Sequence, residues 1–184
     1  MSLPNLISIA RLMAVPVMIY LILNGYYLAA FWLFVAAGVS DAIDGYLAKA
    51  LGQETVLGSY LDPLADKALL VSVYVTLGHV NLLPSWLVIM VVFRDLIIVG
   101  GVVLLHISTN DVKMKPLLIS KLNTLAQIIL VTVVLANFAF PQVLWPHFII
   151  VLVYVVTATT FASGGAYIVT WGRNAEKDEG SVNR

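Results

Sequence analysis

Long apolar stretches follow one another along the chain, with short polar segments between them. A helix that crosses a membrane needs about 20 mostly apolar residues. The chain contains six stretches that meet this requirement, at 6–23, 28–50, 57–78, 85–107, 117–136 and 148–171. The first of them is expected to end at Asn24-Gly25. Because 61% of the residues are apolar and only 11% are charged, neither a soluble domain nor a disordered chain fits the composition. The sequence predicts an all-α polytopic membrane protein, a bundle of six transmembrane helices.

The six stretches leave little of the chain for a separate extramembrane domain. We expect one membrane domain over residues 1–171 and a polar, loose C-terminal tail over residues 172–184. A signal peptide is a competing interpretation of the first stretch. Arg11 interrupts that stretch, however, and no basic segment precedes it, so a membrane helix is favoured.

Cysteine content and net charge exclude several classes of function. The chain has no Cys, so disulfides, thiolate catalysis and Cys-based metal sites are absent. The formal net charge is zero, which gives no long-range attraction to nucleic acid. We therefore expect no nucleic-acid partner.

Basic residues predict the orientation in the membrane. Three connecting segments, 24–27, 79–84 and 137–147, contain no Lys, Arg, Asp or Glu and would share one side. The opposite side carries most of the basic residues, namely Lys49, Lys113, Lys115, Arg173, Lys177 and Arg184. Basic residues concentrate in cytoplasmic segments, so we expect both termini to be cytoplasmic. A bacterial inner membrane, with the active site facing the cytoplasm, is the expected location.

Four aspartates lie at facing ends of the second and third stretches. Asp41 and Asp44 are separated by three positions, and Asp62 and Asp66 by four, so each pair shares one helical face. A short loop joins the two stretches, which allows the four carboxylates to converge. The alternative is a set of helix-end or capping carboxylates, since Asp62 before Pro63 resembles a helix N-terminus.

Divalent cations would remove the repulsion between four converging carboxylates. All-oxygen ligands suit Mg²⁺, Mn²⁺ or Ca²⁺ better than Zn²⁺. The small residues Gly45, Ala48 and Gly58 lie beside the acids, where they would let a ligand approach the helix backbones closely. The segment therefore predicts a metal and ligand site.

Written out, the segment reads Asp41-x2-Asp44-Gly45-x2-Ala48-Lys49-x8-Gly58-x3-Asp62-x3-Asp66. This resembles the signature D-x2-D-G-x2-A-R-x8-G-x3-D-x3-D of the CDP-alcohol phosphatidyltransferase family. Every spacing is kept, and Lys49 stands where the family usually has Arg. Lys retains the positive charge but lacks the fork that binds phosphate in a bidentate manner.

The resemblance extends over nearly the whole chain and favours one branch of the family. Segment 61–67 and Arg94-Asp95 are similar to the phosphatidylglycerophosphate and cardiolipin synthases. Segment 115–124, together with Gln127, most resembles the CDP-diacylglycerol-dependent cardiolipin synthases. Phosphatidylglycerophosphate synthases more often have Lys where Asn123 stands.

The resemblance implies transfer of a phosphatidyl group from CDP-diacylglycerol to the hydroxyl of an acceptor, with release of CMP. It implies two divalent cations, Mg²⁺ or Mn²⁺, bound chiefly by Asp41, Asp44 and Asp62. Asp66 is implied as the general base and as a further metal ligand. The implied donor-binding residues are Asn5, Gly45, Ala48, Lys49 and Gly58.

An anionic acceptor, a lipid or a glycerol phosphate, needs cationic partners in the protein. The candidates for its phosphate are Arg94, Lys115, Lys121 and Arg173, and Lys121 is preferred. For Arg94 the alternative is an ion pair with Asp95 or another carboxylate within the membrane. For Lys115 and Arg173 the alternatives are membrane topology and contact with anionic lipids.

Three functions remain to be compared. The preferred hypothesis is a cardiolipin synthase with phosphatidylglycerol as acceptor. The first alternative is a phosphatidylglycerophosphate synthase with glycerol 3-phosphate as acceptor. A cation transporter is a remote alternative, because the acids cluster toward one side and the two halves of the chain do not match. The Gly164-Gly165 pair predicts close helix packing, and the family resemblance implies a homodimer.

Overall fold

The computed structural model describes residues 3–51, 56–108, 118–140 and 146–182, with side chains for 7–41, 65–100, 118–140 and 147–167. Within these ranges every regular element is an α-helix. The helices are α1 (Leu3–Leu23), α2 (Tyr27–Leu51), α3 (Val56–His79), α4 (Ser85–Ser108), α5 (Leu118–Ala139) and α6 (Pro146–Val182). The predicted all-α class is confirmed, and each predicted stretch corresponds to one helix.

The C-terminal tail differs from the prediction. Residues 172–182 continue α6 as far as Val182 and are therefore helical rather than loose. No proline follows Pro146 in this helix, and the polar end contains the good helix formers Ala175, Glu176 and Lys177. A polar composition alone did not reveal this extension, because polarity does not oppose helix formation.

Backbone contacts group the chain into two compact units. The first unit comprises Met1–Ser85 and Val131–Ile149, and the second comprises Trp86–Leu130 and Ile150–Arg184. In the first unit, α1 packs against both α2 and α3. The four aspartates of the signature therefore belong to the first unit.

The core of the first unit is built from apolar side chains that share one helical face. Met18 and Ile22 lie one turn apart on α1, and both are fully buried. On α3, Val73 and Leu77 repeat this spacing and are also fully buried, as is Tyr74. These contacts fix α1 against its neighbours.

Two tight turns end α1 and α3. Gly25 has a φ of 75°, its N–H bonds the Ile22 carbonyl, and the N–H of Tyr26 bonds the Leu21 carbonyl. This is the Schellman arrangement, in which glycine tolerates the left-handed conformation. Asn81, with a φ of 59°, takes the same position after α3. The Asn24-Gly25 signal in the sequence thus marks a real helix end.

Apolar side chains cover much of the surface of the described helices. Residues Leu118–Ala139 and His147–Tyr167 are long and apolar enough to cross a membrane, judged by length and composition within the described part of the chain. The large side chains of Met13, Ile89 and Phe161 are about two-thirds exposed. Such a surface suits a lipid environment better than water.

Candidate active site

A buried arginine joins the two signature aspartates whose side chains the structure describes. Arg11 on α1 donates from Nη1 to Oδ1 of Asp41 on α2, at 2.8 Å. The same Nη1 donates to Oδ1 of Asp66 on α3. One nitrogen therefore holds carboxylates from two other helices, and it brings the first and last acids of the signature to one place.

The three side chains differ sharply in exposure. The Arg11 side chain is only 3% exposed, whereas those of Asp41 and Asp66 are 45% and 42% exposed. The guanidinium thus closes the inner side of the pair, and the carboxylates remain accessible from the other side. An approaching cation or substrate can reach Asp41 and Asp66 without first opening the core.

The other signature acids and small residues lie in helices whose side chains are outside the described residues at these positions. This group comprises Asp44, Gly45, Ala48, Lys49, Gly58 and Asp62. The side chains of Asn5 and Arg173 and the whole of Lys115 are likewise outside the described residues. Among the described side chains, no three acidic or histidine residues come together. The four-aspartate metal site therefore remains a prediction, with two of its members placed.

The placed residues fit a hard divalent cation. Asp41 and Asp66 supply only carboxylate oxygen, their oxygens converge within bonding distance of one atom, and both side chains are nearly half exposed. Oxygen donors of this kind suit Mg²⁺ and Mn²⁺.

A second buried arginine lies in the other unit. Arg94 on α4 is 5% exposed and donates from Nη1 to Asp95 Oδ1 at 2.7 Å. Its Nη2 donates to Ser120 Oγ on α5 at 2.7 Å and also to Ser163 Oγ on α6. The ion pair with Asp95 matches the alternative that the sequence left open. Both terminal nitrogens of Arg94 already have protein partners.

Asn123 extends this polar cluster along α5. Its side chain is fully buried, and its Oδ1 accepts hydrogen bonds from Thr159 Oγ1 at 2.8 Å and from Thr160 Oγ1 at 3.0 Å. Buried polar groups are costly in an apolar interior unless they are hydrogen-bonded, so these bonds fix α6 against α5. Lys121, on the same helix, is exposed.

An apolar cavity of about 250 Å³ lies beside Arg94, between α4 and α6. Phe93, Ile97 and Phe161 contribute to its walls, and Gly165 borders it. Within the described structure, a Cβ added at Gly165 would meet no heavy atom within 4 Å, and one added at Gly164 would lie 4.0 Å from Arg94 Cγ. Gly164 thus faces the arginine, while Gly165 faces open space.

Sequence reasoning missed several of these residues. The sequence showed Arg11 only as a charge that interrupts the first apolar stretch and did not predict its contact with the acids, although a lone arginine in an apolar helix signals a buried partner. Ser163, Thr159 and Thr160 were also missed. Hydroxyl side chains in the otherwise apolar α6 were the available signal.

Comparisons with known proteins identify the family of the chain. Residues 1–162 match the model of the CDP-alcohol phosphatidyltransferase family. The chain therefore belongs to that family, as its signature predicted.

Curated relatives are named for two different activities. The chain is 40% identical to the chloroplastic CDP-diacylglycerol–glycerol-3-phosphate 3-phosphatidyltransferase 1 of Oryza sativa subsp. japonica, over 91% of this chain and 56% of the rice protein. It is 35% identical to cardiolipin synthase (CMP-forming) of Rattus norvegicus, over 78% of this chain and 55% of the rat protein. The chain thus spans about half the length of these two relatives.

A bacterial relative matches along nearly its full length. The chain is 33% identical to the CDP-diacylglycerol–glycerol-3-phosphate 3-phosphatidyltransferase of Bacillus subtilis (strain 168), over 90% of this chain and 93% of the relative. The region shared by these proteins therefore includes both compact units.

Proposed function

We propose that the protein is an integral membrane phosphatidyltransferase that moves the phosphatidyl group of CDP-diacylglycerol to an acceptor hydroxyl and releases CMP. The convergence of Asp41 and Asp66 on one nitrogen carries this proposal, because it joins the two ends of the family signature. Family membership and the activities for which the relatives are named support the same reaction.

In this proposal Asp41, Asp44, Asp62 and Asp66 hold two divalent cations, Mg²⁺ or Mn²⁺. Bound at these residues, the cations would neutralise charge on the pyrophosphate and on the leaving CMP. The CDP part of the donor is bound by five further residues, namely Asn5, Gly45, Ala48, Lys49 and Gly58. Lys49 offers the phosphates a single ammonium rather than a guanidinium fork.

Asp66 acts as the general base in the proposed reaction. Its carboxylate takes the proton from the acceptor hydroxyl while that oxygen attacks the phosphorus bonded to diacylglycerol. The 42% exposure of the Asp66 side chain gives the acceptor access to it. Arg11 lies on the opposite, buried side and does not block this approach.

Phosphatidylglycerol is the proposed acceptor, which makes the protein a cardiolipin synthase. Support comes from the segment around Asn123 and from the named relatives of that activity. Glycerol 3-phosphate is the second candidate, favoured by the rice and Bacillus relatives. In either case Lys121 is the preferred phosphate ligand, since it is exposed. Lys115 and Arg173 are further candidates. Arg94 is also a candidate, but it would have to give up one of its present hydrogen-bond partners to bind the phosphate.

The decisive measurement is CMP release by the purified full chain given CDP-diacylglycerol and Mg²⁺ or Mn²⁺. Phosphatidylglycerol and glycerol 3-phosphate are supplied separately, and a reaction without acceptor is the control. We expect acceptor-dependent CMP release that is greatest with phosphatidylglycerol. Release with glycerol 3-phosphate alone would transfer the assignment to phosphatidylglycerophosphate synthesis. No release with either acceptor would contradict the enzyme proposal.

The proposed topology has six membrane spans, both termini in the cytoplasm and the active site on that side of a bacterial inner membrane. Because the chain has no Cys, single cysteines report the side of the membrane without interference. A membrane-impermeant maleimide should label Asn24→Cys on intact cells and Ser181→Cys only after permeabilisation. The reverse pattern would invert the topology.

A homodimer embedded in membrane lipid is the proposed assembly. It rests on the family resemblance, which implies a homodimer. Crosslinking of the purified protein across a range of concentrations would test it, and a monomer at every concentration would contradict it.

A further inference from the structure

Arg11 occupies an unusual position for a charged side chain. It lies within the apolar α1, its side chain is 3% exposed, and its Nη1 contacts carboxylates on both α2 and α3. A buried charge is stable only when it is paired. The position of Arg11 in the core therefore depends on Asp41 and Asp66.

The dependence also runs in the opposite direction. Two carboxylates drawn to one point repel each other unless a cation lies near both. Arg11 supplies one positive charge to this pair from the buried side, and the 45% and 42% exposure of the acids leaves their other side open. The acids can therefore converge before any metal ion is bound.

A divalent cation would draw on the same two carboxylates. It would also lie close to the Arg11 guanidinium, and charges of the same sign repel strongly at such separations when water is partly excluded. Two cations that compete for one anionic pair weaken each other's binding, and this coupling is reciprocal.

We infer that Arg11 is a resident counter-cation of the catalytic carboxylates: it holds Asp41 and Asp66 together without metal and lowers the affinity of the site for divalent cations. This inference rests on the metal site of the proposed function. It assigns Arg11 a positioning role, because the residue acts through the two aspartates. The opposite model is a purely supporting arginine, whose loss would disorganise the acids and weaken cation binding.

Mn²⁺ binding to the purified full chain, followed by electron paramagnetic resonance without substrate, separates the two models. Arg11→Gln removes the charge, and we expect it to tighten Mn²⁺ binding about tenfold, within the usual range of such couplings. Weaker or unchanged binding would overturn the inference. Lys177→Gln is the control, because it removes a positive charge from the polar end of α6, outside every proposed site, and should leave Mn²⁺ affinity unchanged.

Thermal unfolding provides a second readout that does not depend on turnover. In EDTA, Arg11→Gln should melt below the wild type, and Mn²⁺ should raise its melting temperature more than it raises that of the wild type. An equal or smaller rise with Mn²⁺ would contradict the counter-cation role.

Arg11→Lys keeps the inference testable if the Gln variant does not fold. Lysine retains the charge but carries it on a single ammonium with a different reach, so we expect Mn²⁺ affinity between those of the wild type and the Gln variant. Binding weaker than wild type would again overturn the inference. If the wild type itself binds no Mn²⁺, the proposed metal site fails, whatever the Arg11 variants show.

Discussion

Arg11 and Arg94, the arginines whose side chains the structure describes, are both buried but have opposite kinds of partner. Arg11, in the first unit, pairs with carboxylates that are nearly half exposed. Arg94, in the second unit, pairs with Asp95, which is as deeply buried as itself, and with two serine hydroxyls. Burial of the arginine does not distinguish the two positions, whereas exposure of the partner does. In the proposed function the accessible partners, Asp41 and Asp66, belong to the reaction centre, whereas the buried partner Asp95 supports the fold.

The largest expected effect is on CMP release, and it follows from replacing Asp66, one of the accessible partners of Arg11. Asp66→Asn should lower CMP release by about 10²- to 10⁴-fold, because the amide cannot accept the proton of the acceptor. Donor binding should largely survive, and the melting temperature should fall only modestly, because the buried Arg11 keeps Asp41 as a partner. Loss of CDP-diacylglycerol binding in this variant would instead mark Asp66 as chiefly a metal ligand.

Replacing the arginines themselves tests the comparison directly. Arg94→Met leaves Asp95 buried without its cation, and we expect unfolding to become easier by about 3–5 kcal/mol. Adding Asp95→Leu should recover most of that loss, since an uncharged pair packs without a desolvation cost.

Arg11→Met should cost only about 1 kcal/mol in EDTA, because its half-exposed partners regain water. Both arginine variants would be compared by thermal unfolding in the same detergent. Equal losses for Arg11→Met and Arg94→Met would break the distinction drawn from partner exposure.

Lys121 extends the comparison to an exposed cation in the second unit. Lys121→Gln removes one charge-assisted contact to the acceptor phosphate, and we expect the KM for the acceptor to rise about tenfold. The KM for CDP-diacylglycerol should stay unchanged. A rise in the donor KM instead would place Lys121 at the nucleotide.

The smallest expected effect lies in the cavity beside Arg94. A Cβ at Gly165 meets no described heavy atom within 4 Å, and alanine favours a helix over glycine by up to about 1 kcal/mol. Gly165→Ala should therefore leave the melting temperature unchanged or slightly higher. A clear drop would show that a partner surface covers this position in the native assembly.

Local patterns in the sequence predicted much of the fold. Six helices followed from apolar length, and the end of α1 followed from Asn24-Gly25, because both are local properties. The helical continuation of α6 to Val182 could not be predicted in this way, because a polar composition is compatible with both a helix and a loose tail.

Only those parts of the site that depend on helical spacing or on the family signature could be predicted from the sequence. The convergence of the α2 and α3 acids was predicted, and the structure places Asp41 and Asp66 together. The Arg11 contacts were not predicted, since they join residues 30 and 55 positions apart and no spacing rule relates α1 to α3. For Arg94 the neighbouring Asp95 was anticipated, but Ser163 lies 69 positions away and could be found only from the packing of α6.

The shared nitrogen of Arg11 also has a consequence for how the protein is made. Asp66 lies 55 residues after Arg11, so at about 5–20 residues per second the ribosome needs about 3–11 s to add it. During that interval a membrane-inserted α1 carries a charge without these partners, at a cost of about 2.5–3.5 kcal/mol. If α1 spans the membrane as proposed, it should therefore settle in the bilayer only after α2 and α3 have followed it from the ribosome.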